Sequence, residues 1–489
     1  MITSVINQSG FEKLVTGLND WILKSFDWLF TIAGFSCVVI VLILLISPVS
    51  RIKIGGPNAL PLLSRWKWFS ITLCTTVATG ILLWGAAEPL FHLHDSPSGL
   101  GYAANSPEAA QFAMSTMFMH WTITPYSIYT LAGLLFALMY YNQKRQENIS
   151  ALLFPVLRQA SEGPIGVIMN ILCLFALTAG MAASLGSGIL TISGGLDRFT
   201  PLESSSGLNF SVGLLIVFVF TLSAVSGLQK GIKTLSDYNI KLFIFLAVFV
   251  FILGVPKESL ILGWQGLTDF VVNFLPRNLM MDNRIDAAWS RSWTIFYWAN
   301  WIAWTPITAI FLGKIARGYT VRQFVVFNLV LPSLFSAFWM IVFSGNAIHR
   351  SMSQPDLGLF ESMNEGGPES VFYTLMDFVP LGVFISMLFL IIAFLSYVTA
   401  ADSNTTAMSG ICHNQKDYDT QTVQNPVILK IIWGCIIGAS AVIMINYAGI
   451  DGIKMLSNIG GLPALLLIIV ICIGAIRILM NPKLAKYKD

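Results

Sequence analysis

Eleven long apolar segments recur along this chain, at about 28–47, 68–90, 113–140, 165–193, 208–227, 238–255, 292–313, 323–345, 379–402, 430–447 and 461–480. Each supplies the roughly 20 residues that a bilayer core requires. In lipid every backbone polar group must be satisfied within the protein, so such segments fold as helices. The expected class is an all-α polytopic membrane protein. Charge agrees: only 11% of the 489 residues are charged, against roughly 25% in an ordinary soluble domain. The stretch 258–275 alternates apolar clusters with Glu258, Gln265 and Asp269, and reads as a helix lying along the interface. No cleavable signal is evident ahead of the first segment. The six Cys are scattered without paired spacing, as buried small hydrophobes are, and suggest neither a disulfide framework nor a metal site.

Lys and Arg collect in alternate loops: Arg51, Lys53, Arg65 and Lys67, then Lys144, Arg145 and Arg158, then Lys230 and Lys233, then Lys314, Arg317 and Arg322, then Lys416. The tail adds Lys483, Lys486 and Lys488, while 91–112 has neither residue type. The positive-inside rule places the basic loops and the carboxyl terminus in the cytoplasm. An odd number of spans leaves the amino terminus outside. The loop 256–291 must then be external despite Lys257, Arg277, Arg284 and Arg291.

Setting the first span aside leaves ten, which divide into 68–255 and 292–480. A five-helix block puts its second copy in the membrane upside down, the arrangement of many secondary transporters. The organisation read is an external segment 1–27, an extra transmembrane helix with a cytoplasmic loop over 28–67, and a first repeat at 68–255. An external interfacial segment at 256–291, a second repeat at 292–480 and a cytoplasmic tail at 481–489 complete it. The first helix of each block carries a break signal, Thr75-Thr76-Val77-Ala78-Thr79-Gly80 and Trp304-Thr305-Pro306. Broken helices at matching positions point to a binding site at the midplane.

The second break closes a charge-free run that starts at Ser292 and holds Trp293, Trp298, Trp301 and Trp304. At about 100° per residue, the last three step through an arc of roughly 120°. One use for three indoles on one flank is packing, or anchoring at the headgroups. The other is an aromatic box for a cation that has no N–H to donate. Trp301 sits near mid-span, where anchoring is not needed, and Pro306 frees a backbone carbonyl.

The run SWTIFYWANW (292–301) followed by GKIARGYTVRQF (313–324) closely resembles the signature of the betaine/choline/carnitine transporter family. Further matches are GILLWGAAEPL (80–90), HWTITPYSIY (120–129), SGLQKGIKTLSDYN (226–239) and TAADSNT (399–405), in family order over most of the chain. The resemblance implies a LeuT-like five-plus-five inverted-repeat core, here with one additional amino-terminal helix, assembled as homotrimers in the bacterial plasma membrane. It implies substrates that carry quaternary ammonium groups. The family's box maps onto Trp121, Tyr126 and Tyr129 with Trp298, Trp301 and Trp304. Backbone N–H groups near Gly80 could hold the substrate's other end.

Several positions depart from the family pattern. Asn300 stands where a Trp is usual. Of the Gly-Met-Gly-x-Gly run of sodium-coupled members only Gly80 survives, with Val77 inside that stretch. Their Thr-Ser sodium pair is Thr399 and Ala400 here. The Arg that replaces sodium in carnitine exchangers is Asn239. The family's first span is not seen, and the nine residues after 480 are short of the charged tail of osmosensing members. Sodium is therefore possible but not favoured, and sodium-independent exchange is preferred over sodium or proton symport of betaine, choline or a related zwitterion or small amine. No other cofactor and no nucleic-acid partner is expected.

Ionisable residues in lipid are functional candidates, each with a duller alternative. Glu88, before Pro89, reads as a helix cap or a transport residue. His120 reads as a structural hydrogen-bonding group or as a substrate or proton site. Lys241 either snorkels to the interface or replaces a coupling cation near Asn239. Asp402 reads as a partner or cap within the bundle. His92 and His94 have no third ligand nearby in sequence, so a metal is not read. An enzyme would need clustered ligands or a nucleophile with a base, and none is visible. No Walker motif suggests direct ATP drive.

Overall fold

The computed structural model describes residues 8–76, 80–225, 229–412 and 427–488. Regular structure among them is helical, apart from one isolated bridge between Lys53 and Thr320. The main helices are α1 (Gln8–Ile46), α2 (Arg65–Thr76), α3 (Gly80–His94), α4 (Pro107–Trp121), α5 (Ile123–Ala137), α6 (Pro164–Phe199) and α7 (Ser206–Val225). There follow α8 (Gln229–Leu253), α9 (Pro256–Asn278), α10 (Phe296–Lys314), α11 (Leu331–Ser353) and α12 (Gly382–Cys412). The last helical stretch, Val427–Met480, is broken by non-helical backbone at Ala448 and Gly449 into α13 (427–447) and α14 (450–480).

Within the described residues every apolar segment read from the sequence is helical, with 68–90 shared by α2 and α3 and 113–140 by α4 and α5. Seven stretches among the described residues are long and apolar enough to cross a membrane unaided, or eight if the bent pair α8–α9 is one span. This is fewer than eleven because α13 and α14 count as one stretch, residues 77–79 between α2 and α3, where a break is expected, lie outside the described residues, and Ser206–Leu222 is short. The helix at the start begins well ahead of residue 28. Its 39 residues rise about 58 Å, against a hydrocarbon core of roughly 30 Å. The described part of 1–27 is therefore a continuation of α1. It is pinned by Asn19 to Asn458 (2.8 Å) and by Asp27 to Arg291 (2.8 Å).

Helix α9 turns through 107° from α8, the direction an interfacial helix takes. Ile261, Trp264, Val271 and Val272 are exposed along one side, while Leu262, Gly266 and Phe270 are buried on the other. Gly266 allows the close approach to α4, since an added Cβ would stand 2.4 Å from the Met114 side chain. Arg277 closes the helix, bonded to Asp269 and to Ser115 Oγ (2.9 Å).

Two breaks differ from those expected. Pro306 lies inside the unbroken α10, so Trp304-Thr305-Pro306 does not interrupt it. One missing N–H costs a single hydrogen bond, and the packed neighbours keep the helix continuous through it. The irregularity in this region is instead a π-helical turn at Arg291–Ile295. The expected span 113–140 is broken at Thr122, whose φ and ψ of −123° and −109° separate α4 from α5. Pro125 in the first turn of α5 suits a helix start, where its missing N–H is harmless.

On a short connection, Glu369 is 8% exposed and its Oε2 has no partner among the described residues. Burial pushes its carboxyl from an ordinary 4.5 up to about 7. The folded state thus holds this proton more tightly than the unfolded chain. The contribution to stability is complete below about 4.5 and is lost as pH rises through about 7. Glu369→Gln is expected to raise thermal stability in detergent at pH 8, by at most about 3 kcal/mol, and to change it little at pH 4.5. An equal effect at both pH values would show that the carboxyl is not the cause.

Candidate functional site

Glu88 is the polar centre of the molecule. It lies on α3 with no exposure to solvent, and its two oxygens meet four donors. Oε1 accepts from His120 Nδ1 (2.7 Å) and His92 Nε2 (3.1 Å). Oε2 accepts from the Trp121 indole (2.8 Å) and from the Tyr297 hydroxyl. The other ring nitrogen of His120 meets Thr294 Oγ1 at 3.1 Å, a hydroxyl that can either donate or accept. A buried carboxylate is tolerable only when hydrogen-bonded in this way. Glu88 is therefore not a helix cap. Its side chain ties α3, α4 and α10 together.

His92 reaches the cluster because four residues on a helix bring it onto the Glu88 face. The tertiary fold supplies the third polar group, His120, that the sequence did not place beside it. One atom from each of Glu88, His92 and His120 falls within 4.8 Å of the others. The separations from Glu88 Oε1, 2.7 Å for His120 and 3.1 Å for His92, are hydrogen-bond distances. His94 is elsewhere, stacked on Phe360 (3.8 Å) and bonded to Ser351.

Next to this cluster stands an aromatic group centred on Trp301. Its ring centroid is 5.8 Å from Trp121, 5.6 Å from Tyr126 and 5.1 Å from Tyr129. The Trp301 indole donates to the His120 carbonyl at 3.2 Å. Tyr126 is tied to Ser336 at 2.7 Å. Tyr297 extends the group, 5.3 Å from Trp121. Gly80 opens α3 directly beneath, where an added Cβ would stand 3.3 Å from the Trp121 ring. The break at Thr122 lets α4 end on Trp121 while α5 presents Tyr126 and Tyr129.

The arc of three tryptophans does not act as one surface. Trp298 is fully buried beside His120 (6.1 Å) and close to Gly34 of α1. Trp304 lies against Gly180 of α6, where an added Cβ would be 3.4 Å from its indole. Asn300 accepts from Ser457 of α14 at 3.0 Å. A 120° arc is wide enough to touch three different neighbours, and only Trp301 faces the aromatic centre. Tyr297, one turn before Trp301, belongs there and was missed; its spacing of four was the available signal.

The coupling candidates separate as well. Asn239 is buried on α8 and donates to Ser396 Oγ at 2.8 Å, while its Oδ1 has no partner among the described residues. Thr399 donates to the Leu395 and Ser396 carbonyls of its own helix (2.8 and 3.1 Å). Ala400, half-buried beside it, offers no oxygen. Lys241 is on the exposed side of α8, its Nζ 5.4 Å from the Tyr238 ring, while Asn239 is buried. Val77 lies outside the described residues. Asp402 is buried, with its Oδ1 unpartnered among the described residues.

Helices discontinuous around a polar and aromatic centre are the architecture of a secondary transporter. The solved structure of a sodium-coupled sialic acid symporter, in a substrate-bound outward-open state, superposes on this chain with a TM-score of 0.51 at 12% identity. The match covers 92% of this chain and 85% of that one. It shows a shared fold, the LeuT-like five-plus-five inverted repeat, with α1 as an additional amino-terminal helix. The class this fold defines is a multi-pass, all-helical membrane protein. Residues 1–484 match the model of the BCCT, betaine/carnitine/choline family transporter, and the chain belongs to that family. Glycine betaine transporter 1 of Vibrio parahaemolyticus is 30% identical over 92% of this chain and 85% of its own. The high-affinity choline transport protein of Escherichia coli (strain K12) is 29% identical over 91% of this chain and 64% of its own.

Proposed function

We infer that this chain is a secondary active transporter of quaternary-ammonium compounds of the glycine betaine, choline and carnitine class. The observation that carries this reading is the ring group of Trp121, Tyr126, Tyr129 and Trp301. A trimethylammonium group spreads its charge over methyls and accepts no hydrogen bonds. Ring faces attract it by cation–π interaction and by apolar contact, with about 0.5–2 kcal/mol per ring. Centroid separations of 5–6 Å are ring-to-ring contact, so the head group enters as the rings move apart. Alternating access of one helical repeat against the other supplies that motion.

For coupling, the reading is sodium-independent exchange of one quaternary amine for another. A dehydrated sodium ion requires about five or six oxygen ligands, as other hard cations do. The Thr399 hydroxyl is turned into its own helix and Ala400 has none. One observation favours the alternative, sodium or proton symport: the buried Asn239 Oδ1 lacks a partner among the described residues. The test is uptake by proteoliposomes preloaded with substrate, in sodium and in potassium buffers. Equal rates in both buffers, accelerated by preloading, are expected. Uptake that collapses in potassium without benefit from preloading would restore symport.

A further inference from the structure

Beside the Glu88 cluster lies a second aromatic cage, and the protein's own cation occupies it. Lys454, in the first turns of α14, places its Nζ 3.8 Å from the Trp293 ring centroid and 5.6 Å from those of Trp84 and Phe296. The described residues offer this ammonium no carboxylate within 4.0 Å. The carboxylates whose field reaches it are Asp451, three residues earlier and exposed, and Glu88. The ammonium is thus held by ring faces, as a quaternary ammonium would be.

The cage and the Trp301 group are continuous. Trp84 touches Trp293 (5.9 Å) and Tyr297 (6.5 Å), Tyr297 touches Trp121, and Trp121 touches Trp301. Along α3, Trp84 stands four residues beyond Gly80, a rise of about 6 Å. Glu88, with a carboxylate that touches both Trp121 and Tyr297, lies between the two ring groups. One end of this aromatic track therefore carries a fixed positive charge on a flexible four-carbon stem. The other end is ring surface suited to a cation.

A cation among the rings around Trp301 and the Lys454 ammonium carry the same sign and repel, and the Glu88 carboxylate between them offsets part of that repulsion without removing it. A substrate that is only a cation meets that repulsion. A substrate with a carboxylate beyond its ammonium meets an attractive partner for its second end. We propose that Lys454, caged by Trp84, Trp293 and Phe296, is a specificity-determining residue that makes this transporter favour carboxylate-bearing zwitterions over purely cationic quaternary amines. Its ammonium leaves the cage to pair with the carboxylate while the trimethylammonium group occupies the rings around Trp301. The proposal rests on the transport reading above and adds the substrate's second end.

The experiment uses the full chain in proteoliposomes, with glycine betaine as zwitterion and choline as cation. Uptake of each is measured for the wild type, Lys454→Gln, Lys454→Met and Lys454→Arg. The wild type is expected to prefer glycine betaine at least tenfold in kcat/KM. Lys454→Gln and Lys454→Met should reduce that ratio about tenfold or more, by raising KM for glycine betaine and lowering it for choline. Lys454→Arg should keep it. Met retains an unbranched apolar stem without charge, so it answers the question should Gln fail to fold. Equal slowing of both substrates would mean that Lys454 only braces α14, and a wild-type preference for choline would overturn the proposal outright. A wild type that transports neither compound would instead refute the quaternary-amine reading itself.

Discussion

Glu88→Ala is expected to abolish transport and to lower stability by about 3–5 kcal/mol. This is the range for removing one partner of a buried charged network. The estimate follows from the four donors on His92, His120, Trp121 and Tyr297, which would face an apolar void. Each buried donor left unmet costs on the order of 1–3 kcal/mol, offset where water enters the space. Glu88→Gln is the finer probe. Its amide keeps the shape and, with its oxygen towards Trp121 and Tyr297, turns its NH2 to His92 and His120, whose ring nitrogens must then accept where they donated to the carboxylate. It should fold more stably than the Ala variant and still lose most of its uptake, because the negative charge is gone and both imidazoles must change the proton they present. Thermal unfolding in detergent and uptake in proteoliposomes measure the two effects. A Glu88→Ala protein with wild-type melting and uptake would show that the network is dispensable.

Trp301→Ala should weaken substrate binding by about 1–2 kcal/mol, roughly five- to thirty-fold, because it removes the ring that the others surround. Trp301→Phe should recover part of the loss, since Phe keeps a face of poorer cation affinity. Trp304→Ala is the contrast. Its indole packs against Gly180 of α6 and not against Tyr126 or Tyr129, so it should affect stability more than affinity. Titration of ligand binding to the purified protein, followed by tryptophan fluorescence or calorimetry, distinguishes them. Equal losses of affinity at 301 and 304 would mean that the substrate sits where the helical arc alone suggested.

Much of the site was legible because it is built from local chemistry. Trp121, Tyr126, Tyr129 and Trp301 are aromatic residues in charge-free spans, and lipid gives such residues few uses besides packing, anchoring and binding. The family resemblance then named which rings belong together. The errors have a common origin. Pro306 and the arc Trp298–Trp304 were read from one helix in isolation, and a single helix does not specify what stands opposite each flank. For Lys241 the outward reading agrees with its exposed place on α8, while Asn239, two residues earlier, faces into the bundle.

Hydropathy is a one-dimensional property with a physical threshold, the bilayer's thickness. The run of apolar segments therefore sets the all-helical class and the positions of most helices. The pairing of charges has no such one-dimensional signature. Glu88 and His120 are 32 residues apart, and Glu88 and Tyr297 are 209 apart. Lys454 reaches Trp84 and Trp293 only through the packing of three helices. A buried carboxylate or ammonium is stable only where its partners converge in space. That convergence is a property of the packed bundle, and no stretch of the chain carries it alone.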